Sequence, residues 1–249
     1  MREFTEDQRE QVRTLLGRNE RRIERKKELQ REGQVADEKI STFYSGLARK
    51  YRTVGILSIP EGRVSDARRN FSAAAAAYLR SARESSVDVF ASLSLARGIY
   101  AAALAGDDAT LRACAERVRE LHREYDPDAT DPHADRFYFA GCLAGAVVDE
   151  VTDDELATLE EVNERKPETE ALYGRAIIDF TTGVRDDDRD LIETAVRTML
   201  EYHERRCDDV VDLIMAPEAT ALLLVARSGG YDVDVTAEFL PAELIDPPE

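Results

Sequence analysis

Apolar residues recur every three or four positions along most of the chain, and short breaks containing Gly, Pro or Asp separate one run from the next. One such run places Ile40, Phe43, Tyr44 and Leu47 at helical spacing. This period is typical of amphipathic helices, each of which buries one face. The pattern predicts helices over residues 5–31, 35–57, from 65 onward, 87–105, 109–125, 134–148, 153–163, 168–181, 188–206 and 213–228.

Two stretches of this pattern resemble each other. Residues 99–122 and 177–203 both contain a helix end rich in small residues, an acidic turn, and a second helix that finishes near a histidine. Repeated helix pairs are the signature of an α-solenoid. We therefore predict an all-α protein, built as an antiparallel helical-hairpin stack of the tetratricopeptide-like kind. It forms a single domain over residues 1–249, with a basic N-terminal helical arm at 1–31, the stack at 32–230 and an anchoring tail at 231–249.

The most apolar part of the chain is residues 213–244, and we expect the other helices to stack against it. Its helix is apolar on nearly every side, which is typical of a helix inside a domain, and a Gly–Gly pair should end it. Residues 231–236 then alternate between apolar and polar side chains, which predicts a short extended piece. Phe239, Leu240 and Leu244 are expected to anchor this tail.

The same stretch carries a family resemblance. Residues 217–244 combine a proline-led apolar helix, a glycine stop, alternating acidic and β-branched residues, and an aromatic-Leu-Pro-x-x-Leu motif. This arrangement resembles the C-terminal end of family 49 of the polymorphic-toxin immunity proteins, and residues 191–203 resemble that family's preceding amphipathic helix. The resemblance implies a non-enzymatic protein that neutralises a cognate toxin by direct contact. It covers the last quarter of the chain, and the basic arm has no counterpart in it.

Charge divides the chain into two unequal parts. Residues 1–83 contain 19 Lys and Arg against 12 Asp and Glu, whereas residues 84–249 contain 15 against 39. The net charge of -17 and the scarcity of lysine are typical of a protein in a very salty cytosol, where salt screens self-repulsion. The asymmetry further predicts that the acidic body binds a basic protein surface, and that the basic arm contacts an acidic body.

The basic arm concentrates its charge in Arg21, Arg22, Arg25, Lys26 and Lys27. A solvated helix is the plainest interpretation of this cluster. The other interpretations are that the arm lies over the acidic part of its own chain, or that it pairs with a second copy in a homodimer. Nucleic acid is a less favoured partner, because the arm also holds seven acidic residues and no interleaved aromatic side chains.

Three consecutive aromatic residues, Phe137, Tyr138 and Phe139, lie in the predicted helix 134–148. They cannot all face one side of a helix, since consecutive helical residues point about 100° apart. We predict that they contribute to a protein-binding centre, because aromatic side chains dominate the energetics of many interfaces. Core packing is the alternative.

No sequence pattern points to catalysis, a metal or a cofactor. His122, His133 and His203 are far apart and lack the close ligand spacing of a zinc site. Acidic pairs such as Asp107–Asp108 stand at predicted helix starts, where carboxylates cap free amides. The chain has no GxSxG, Walker or GxGxxG motif. We therefore expect a protein without enzyme activity, bound metal or cofactor.

The expected location is the cytoplasm. Three well-separated cysteines predict no disulfide framework, and residues 1–10 lack the features of a signal peptide. No apolar run reaches the roughly 18 residues that span a bilayer, so no membrane contact is expected. Two functions remain: an immunity-like protein that binds a toxin, or a tetratricopeptide-like scaffold or regulator that contacts nucleic acid through its basic N-terminal part.

The charge analysis predicts that folding depends on salt. The acids that crowd residues 84–249 repel one another at low ionic strength, and added salt screens this repulsion. The melting temperature, measured by far-UV circular dichroism, should rise between dilute buffer and molar KCl. An unchanged melting temperature would contradict the halophilic interpretation.

Overall fold

The computed structural model describes residues 4–86, 88–125, 127 and 133–246. Within these ranges all regular structure is helical, which confirms the predicted all-α class. The helices are α1 (Glu6–Arg31), α2 (Ile40–Ser58), α3 (Val64–Arg83), α4 (Asp88–Ala105), α5 (Asp108–Glu124), α6 (Ala134–Val148), α7 (Asp153–Glu164), α8 (Glu168–Asp186), α9 (Arg189–Glu204), α10 (Pro217–Ser228) and α11 (Ala242–Ile245). A 3-10 turn at Asp37–Lys39 precedes α2, so this helix begins later than the predicted residue 35.

The helices pack as a continuous stack. From α1 to α9, each helix contacts the next one along the chain, and the connections between them reverse the chain direction. α4 also contacts α6, and α6 contacts α8, so these three helices lie side by side in one layer. α3 and α5 contact each other in the second layer. This alternation confirms the predicted helical-hairpin stack.

The centre of the stack is α6. It contacts α4, α5, α7 and α8, and every residue from 137 to 145 is buried. Gly141 and Gly145 lie within this run: a side chain at Gly141 would meet the His122 ring of α5, and one at Gly145 would meet the backbone of Glu150 and Val151 before α7. We expected the stack to organise around residues 213–244. That expectation is wrong in position: α10 is buried as predicted, but its helical contacts are with α4 and α9.

α10 begins at Pro217 instead of the predicted residue 213. The Asp209 carboxylate accepts hydrogen bonds from the backbone N–H groups of Val211 and Asp212, at 2.7 and 3.1 Å, and this folds the preceding segment into turns. Proline at the first helical position needs no hydrogen-bonding partner for its nitrogen. The helix therefore starts where the chain turns back from α9 towards α4.

The tail shows the predicted alternation in burial. Val233 and Val235 are buried, whereas Asp232, Asp234 and Thr236 are exposed. Phe239, Leu240 and Leu244 are also buried and belong to the same core as α10. The N–H of Ala216 donates to the carbonyl oxygen of Phe239 at 2.9 Å, which ties the tail to the start of α10.

The basic arm, α1, lies along α2. Thr5 and Gln8 form a reciprocal capping box at its start. Its narrow apolar stripe, which includes Val12, Leu16 and Ile23, is buried. The expectation that α1 lies over the acidic part of its own chain is wrong, because this stripe packs on the adjacent helix of the basic part.

Two of the three cysteines lie in the core. Cys114 on α5 and Cys142 on α6 are both buried and unpaired. A buried free cysteine behaves as a small apolar residue, so both thiols serve packing. In the described part of the chain, no helix combines the length and the apolar character that crossing a bilayer requires.

Leu244 provides a test of how strongly the tail is anchored. Its side chain is 1% exposed. Leu244→Ala should lower the free energy of unfolding by about 2–5 kcal/mol, because it removes buried methyl groups and leaves a cavity. The measurement is a denaturant titration at constant high KCl. Thr236→Ala, at an exposed position of the same tail, is the control and should change stability by less than about 0.5 kcal/mol. If Leu244→Ala is as stable as Thr236→Ala and as the wild-type chain, the tail is dispensable for stability.

Candidate functional site

A cavity of about 690 Å³ opens on the inner side of the stack. Side chains from α2, α4, α6, α7, α8, α9 and α10 line it, together with the turns that follow α9. Its volume falls within the roughly 300–1,000 Å³ of typical ligand pockets. The cavity exists because α10 turns back on α4 and leaves a space between α10 and the layer formed by α4, α6 and α8.

Aromatic side chains from four helices form one wall of the cavity. The hydroxyl groups of Tyr100 and Tyr173 lie 2.7 Å apart and share a hydrogen bond. The ring of Tyr173 also meets the rings of Phe139 and Tyr202 edge-on, at centroid distances of 5.1 and 5.4 Å. Burial raises the pKa of both Tyr100 and Tyr173 well above the usual tyrosine value. Both phenols therefore stay neutral, and the wall offers flat apolar surface edged with hydroxyl groups.

Charges of both signs line the rest of the cavity. Lys166 contacts Asp135 at 2.9 Å, and Arg52 of α2 contacts Glu218 of α10 at 2.6 Å. Burial opposes the charged form of Arg52, but Glu218 and other negative groups raise its pKa overall, so the guanidinium group stays charged. The pair links α2, in the basic N-terminal part of the chain, to α10.

Two further arginines in the cavity lack the ionic partners that Lys166 and Arg52 have. Arg97 of α4 is exposed and Arg136 of α6 is half-buried. Within the described ranges, neither guanidinium group forms an ion pair or a hydrogen bond. Arginines without an ionic partner in a concave aromatic site can bind a carboxylate by donating two parallel hydrogen bonds to it.

The three aromatic residues predicted to form a binding centre are all buried, at 2%, 7% and 8% exposure for Phe137, Tyr138 and Phe139. Phe137 stacks on the ring of His122 at 3.6 Å. The hydroxyl group of Tyr138 donates to the carbonyl oxygen of Pro127 at 2.9 Å. Phe139 alone lines the cavity. Phe137 and Tyr138 therefore pack in the core, whereas Phe139 forms part of the cavity wall.

A buried polar cluster joins α5 to α7 behind α6. Nδ1 of His122 lies 3.2 Å from the Glu155 carboxylate, and Arg119 donates to both oxygens of that carboxylate at 2.6 and 2.7 Å. A side chain on Gly141 would overlap the His122 ring, so glycine is required there. Burial raises the pKa of Glu155, but the bonds from His122, Arg119 and Thr152 outweigh it and lower the value overall. None of these residues lines the cavity, and the cluster connects α5 to α7.

The remaining histidines have structural contacts as well. Nε2 of His203 lies 2.8 Å from the carbonyl oxygen of Asp212, and its ring meets Phe239 edge-on at 5.1 Å. His203 therefore holds the turn before α10 and the tail together, at the rim of the cavity. His133 lies 6.2 Å from the exposed ring of Phe90. In the part of the chain that the structure describes, no three metal-ligating side chains come together.

The five cations of the basic arm do not act as one group. Arg25 pairs with Glu28 at 2.5 Å, and Lys27 pairs with Glu24 at 2.8 Å. Lys26 lies over the ring of Phe43 on α2, at 4.5 Å from its centroid. Arg21 and Arg22 are exposed. The sequence cluster is therefore divided into cations that pair with acids of α1 and cations that do not.

Sequence reasoning missed the cavity. Arg97, Arg136, Tyr100 and Tyr173 come from three helices, and no local motif connects them. Tyrosine recurs in many of the helices, but that recurrence does not indicate which tyrosines meet. What joins these residues is the order of packing in the stack, which a motif search does not detect.

Comparison with known proteins leaves the cavity as the main evidence about function. No family model matches the chain, and neither a curated protein nor a solved structure matches it. The resemblance of residues 217–244 to the family 49 immunity proteins therefore stays a prediction from the residues themselves.

The buried cluster generates a stability prediction. The side chains of Arg119 and Glu155 are 12% and 16% exposed. Arg119→Ala leaves a buried carboxylate without its main partner and should cost about 3–5 kcal/mol of unfolding free energy. Arg123→Ala, which breaks an exposed contact to Glu150 from the same helix, should cost at most about 1 kcal/mol.

The same pair of variants has a pH signature. Because the folded-state pKa of Glu155 is lowered, its stabilising effect is present above the unfolded pKa and is lost as pH falls through the folded pKa. Denaturant titrations across the acid range should therefore show Arg119→Ala losing this part of the acid dependence, whereas Arg123→Ala retains it. An identical acid limb in both variants would exclude Glu155 as a stabilising carboxylate.

Proposed function

We propose that this protein is a non-enzymatic binding protein that takes a segment of a partner protein into the cavity, and that the partner is a toxin which it neutralises by direct contact. The observation that carries the proposal is the cavity itself, with a tyrosine wall and two arginines, Arg97 and Arg136, that have no ionic partner in the described ranges. The toxin as partner comes from the resemblance of residues 217–244 to the immunity family.

The size of the cavity restricts what can enter. A space of about 690 Å³ accommodates several side chains of a partner but not a folded domain. A projecting loop or chain end of the toxin would therefore insert, while the acidic outer surface of the stack contacts the surrounding basic surface. An inhibitor of this kind blocks its target by covering the target's functional groups.

The lining favours binding over catalysis. Tyrosine and arginine are enriched among the residues that dominate protein interfaces, and both occur here around a partly desolvated centre. No Ser, Thr or Cys occurs among the described residues that line the cavity, so none of these nucleophiles contributes to its surface. The most engaged charged pair, Arg52 and Glu218, is already neutralised by its own contact.

High salt sets a further requirement. At molar ionic strength the Debye length is about 3 Å, so acidic surface charges attract a basic toxin only at contact distance. Affinity must then come from groups that exclude water, and the wall of Tyr100, Tyr173 and Phe139 is the part of the site that can supply it.

A second candidate function is a helical-repeat scaffold or regulator. The observation that favours it is a group of cations shared between α1 and α2, distinct from the cavity. In that function the cavity would hold a peptide segment of another protein, while the basic helices contact a polyanion.

The two arginines generate the functional prediction. Arg97→Glu/Arg136→Glu should abolish partner binding, because it replaces two cations that bind the partner's carboxylates with anions that repel them. The fold should stay intact, because the two positions are exposed and half-buried. The chain is first purified from its native host at molar KCl and the bound protein is identified. That protein is then expressed in a sensitive cell with and without this chain. Growth arrest by the partner alone, rescue by the wild-type chain and loss of rescue in the double variant are the expected results.

A matched control carries the same charge change elsewhere. Arg112→Glu/Arg175→Glu alters exposed arginines on α5 and α8 that lie outside the cavity lining, and rescue should persist. A partner without toxicity would overturn the toxin assignment but leave the cavity as a binding site. Equal rescue by both double variants would overturn the cavity itself.

A further inference from the structure

Five cations come together along the seam between α1 and α2. Arg18, Arg22 and Lys26 follow one another at four-residue intervals on α1, and Arg49 and Lys50 face them from α2. Nζ of Lys26 lies over Gly46 of α2, within 3.3 Å of where a side chain would begin, so the two helices are in direct contact at this point. We call these five residues the basic seam.

The acids of α1 are kept away from the basic seam. Glu20, Glu24 and Glu28 also follow one another at four-residue intervals, and on a helix this row lies about 200° around the axis from the row of Arg18, Arg22 and Lys26. Each of these acids already has a cation: Arg63 for Glu20, Lys27 for Glu24 and Arg25 for Glu28. Three of the seven acidic residues that argued against a nucleic-acid contact therefore lie on the opposite side of α1 from the basic row.

The cations of the basic seam are close enough to repel one another. Burial, followed by the charges of Arg49 and Lys50, lowers the pKa of Lys26. Burial, followed by the charges of Arg22, Arg49 and Arg18, lowers the pKa of Lys50. Among the described residues, no carboxylate forms an ion pair with any of the five. Arg18, Arg22 and Arg49 are exposed, so the group is open to an anion from outside the chain.

We propose that the basic seam binds the phosphate backbone of a nucleic acid. A protein partner would need an apolar centre from which water is excluded. The large apolar side chains that are exposed in the described ranges are Phe90 and Tyr125, and neither lies on α1 or α2. Phosphate contact needs only charge and carries no such requirement.

The spacing of the cations suits a regular polyanion. Four residues of helix rise about 6 Å, so Arg18, Arg22 and Lys26 form a row about 12 Å long, and Arg49 with Lys50 broadens it. Five phosphate contacts would give a dependence of log affinity on log salt with a slope of about -4.5 for duplex DNA and about -3.5 for a single strand. The seam reads backbone charge, so binding is independent of base sequence.

This inference does not rest on the toxin proposal. The basic seam is separate from the residues that line the cavity, and either site can fail while the other stands. It assigns to the N-terminal helices a ligand that the immunity resemblance does not supply.

The test compares two double variants that each remove two cations from the N-terminal helices. Arg22→Gln/Lys50→Gln removes members of the basic seam, and Arg25→Gln/Lys27→Gln removes cations that are each paired with an acid of α1. Fluorescence anisotropy is recorded with a labelled 30-base-pair duplex and with a labelled thymidine 30-mer over a KCl series. Circular dichroism defines the KCl range in which each variant is folded, and slopes are taken within that range.

The wild-type chain should bind the duplex with a slope near -4.5, and the seam variant should lose about 1.8 from the magnitude of that slope. This corresponds to about 60-fold weaker binding at 0.1 M KCl if the affinities converge at 1 M. The control variant should keep the wild-type slope. If the folded range excludes 0.1 M, the change in slope within that range decides the result.

Three results would overturn the proposal. The first is no binding of the wild-type chain to either probe at the lowest salt at which it is folded. The second is an equal loss of slope in both variants, which would indicate general charge attraction. The third is poly-glutamate competing as strongly as unlabelled thymidine 30-mer, or a wild-type dimer that dissociates only in the seam variant, since either would assign the seam to an acidic protein surface.

Discussion

The burial of residues 137–145 of α6 is the constraint on which the rest of the structure depends. Four helices, α4, α5, α7 and α8, pack around this run. Close approach of α5 is possible at Gly141, which receives the His122 ring. Burying this polar ring then requires a partner, and Glu155 of α7 supplies it. Packing at one glycine thus determines how three helices meet.

The cavity is a consequence of the way the stack ends. α10 does not extend the layer of α4, α6 and α8 but turns back onto α4, and the tail closes over it. Glu218 on α10 reaches Arg52 on α2, while His203 on α9 holds the turn that leads into α10. The site and the stability of the C-terminal segment are therefore coupled, because the same contacts close the fold and shape the wall.

Charge is distributed over three kinds of surface. The outer faces carry the excess of acid, and dissolved salt screens the repulsion between these charges. The cavity combines five cations with five acids, and so it differs from the acidic body that surrounds it. The seam between α1 and α2 collects cations that lack acidic partners in the described ranges. Each surface suits a different contact: solvent, a protein segment and a polyanion.

The sequence by itself determined the helical class, the positions of most helices and the burial of the tail. Periodicity determines these features, because a residue such as Val233 or Leu244 reaches the core by the local geometry of its own element. α10 begins later than its periodicity predicts, because the Asp209 carboxylate accepts hydrogen bonds from backbone N–H groups of the preceding segment.

Tertiary structure alone decided where the functional groups meet. Tyr100 and Tyr173 are 73 residues apart, yet their hydroxyl groups share a hydrogen bond. The sequence showed a basic cluster on α1 alone, and packing brought Arg49 and Lys50 of α2 beside it. The physical reason is that helical periodicity specifies which face of a helix is buried but not which helix it meets. That choice depends on the volumes of many side chains at once, such as the absent side chain of Gly141.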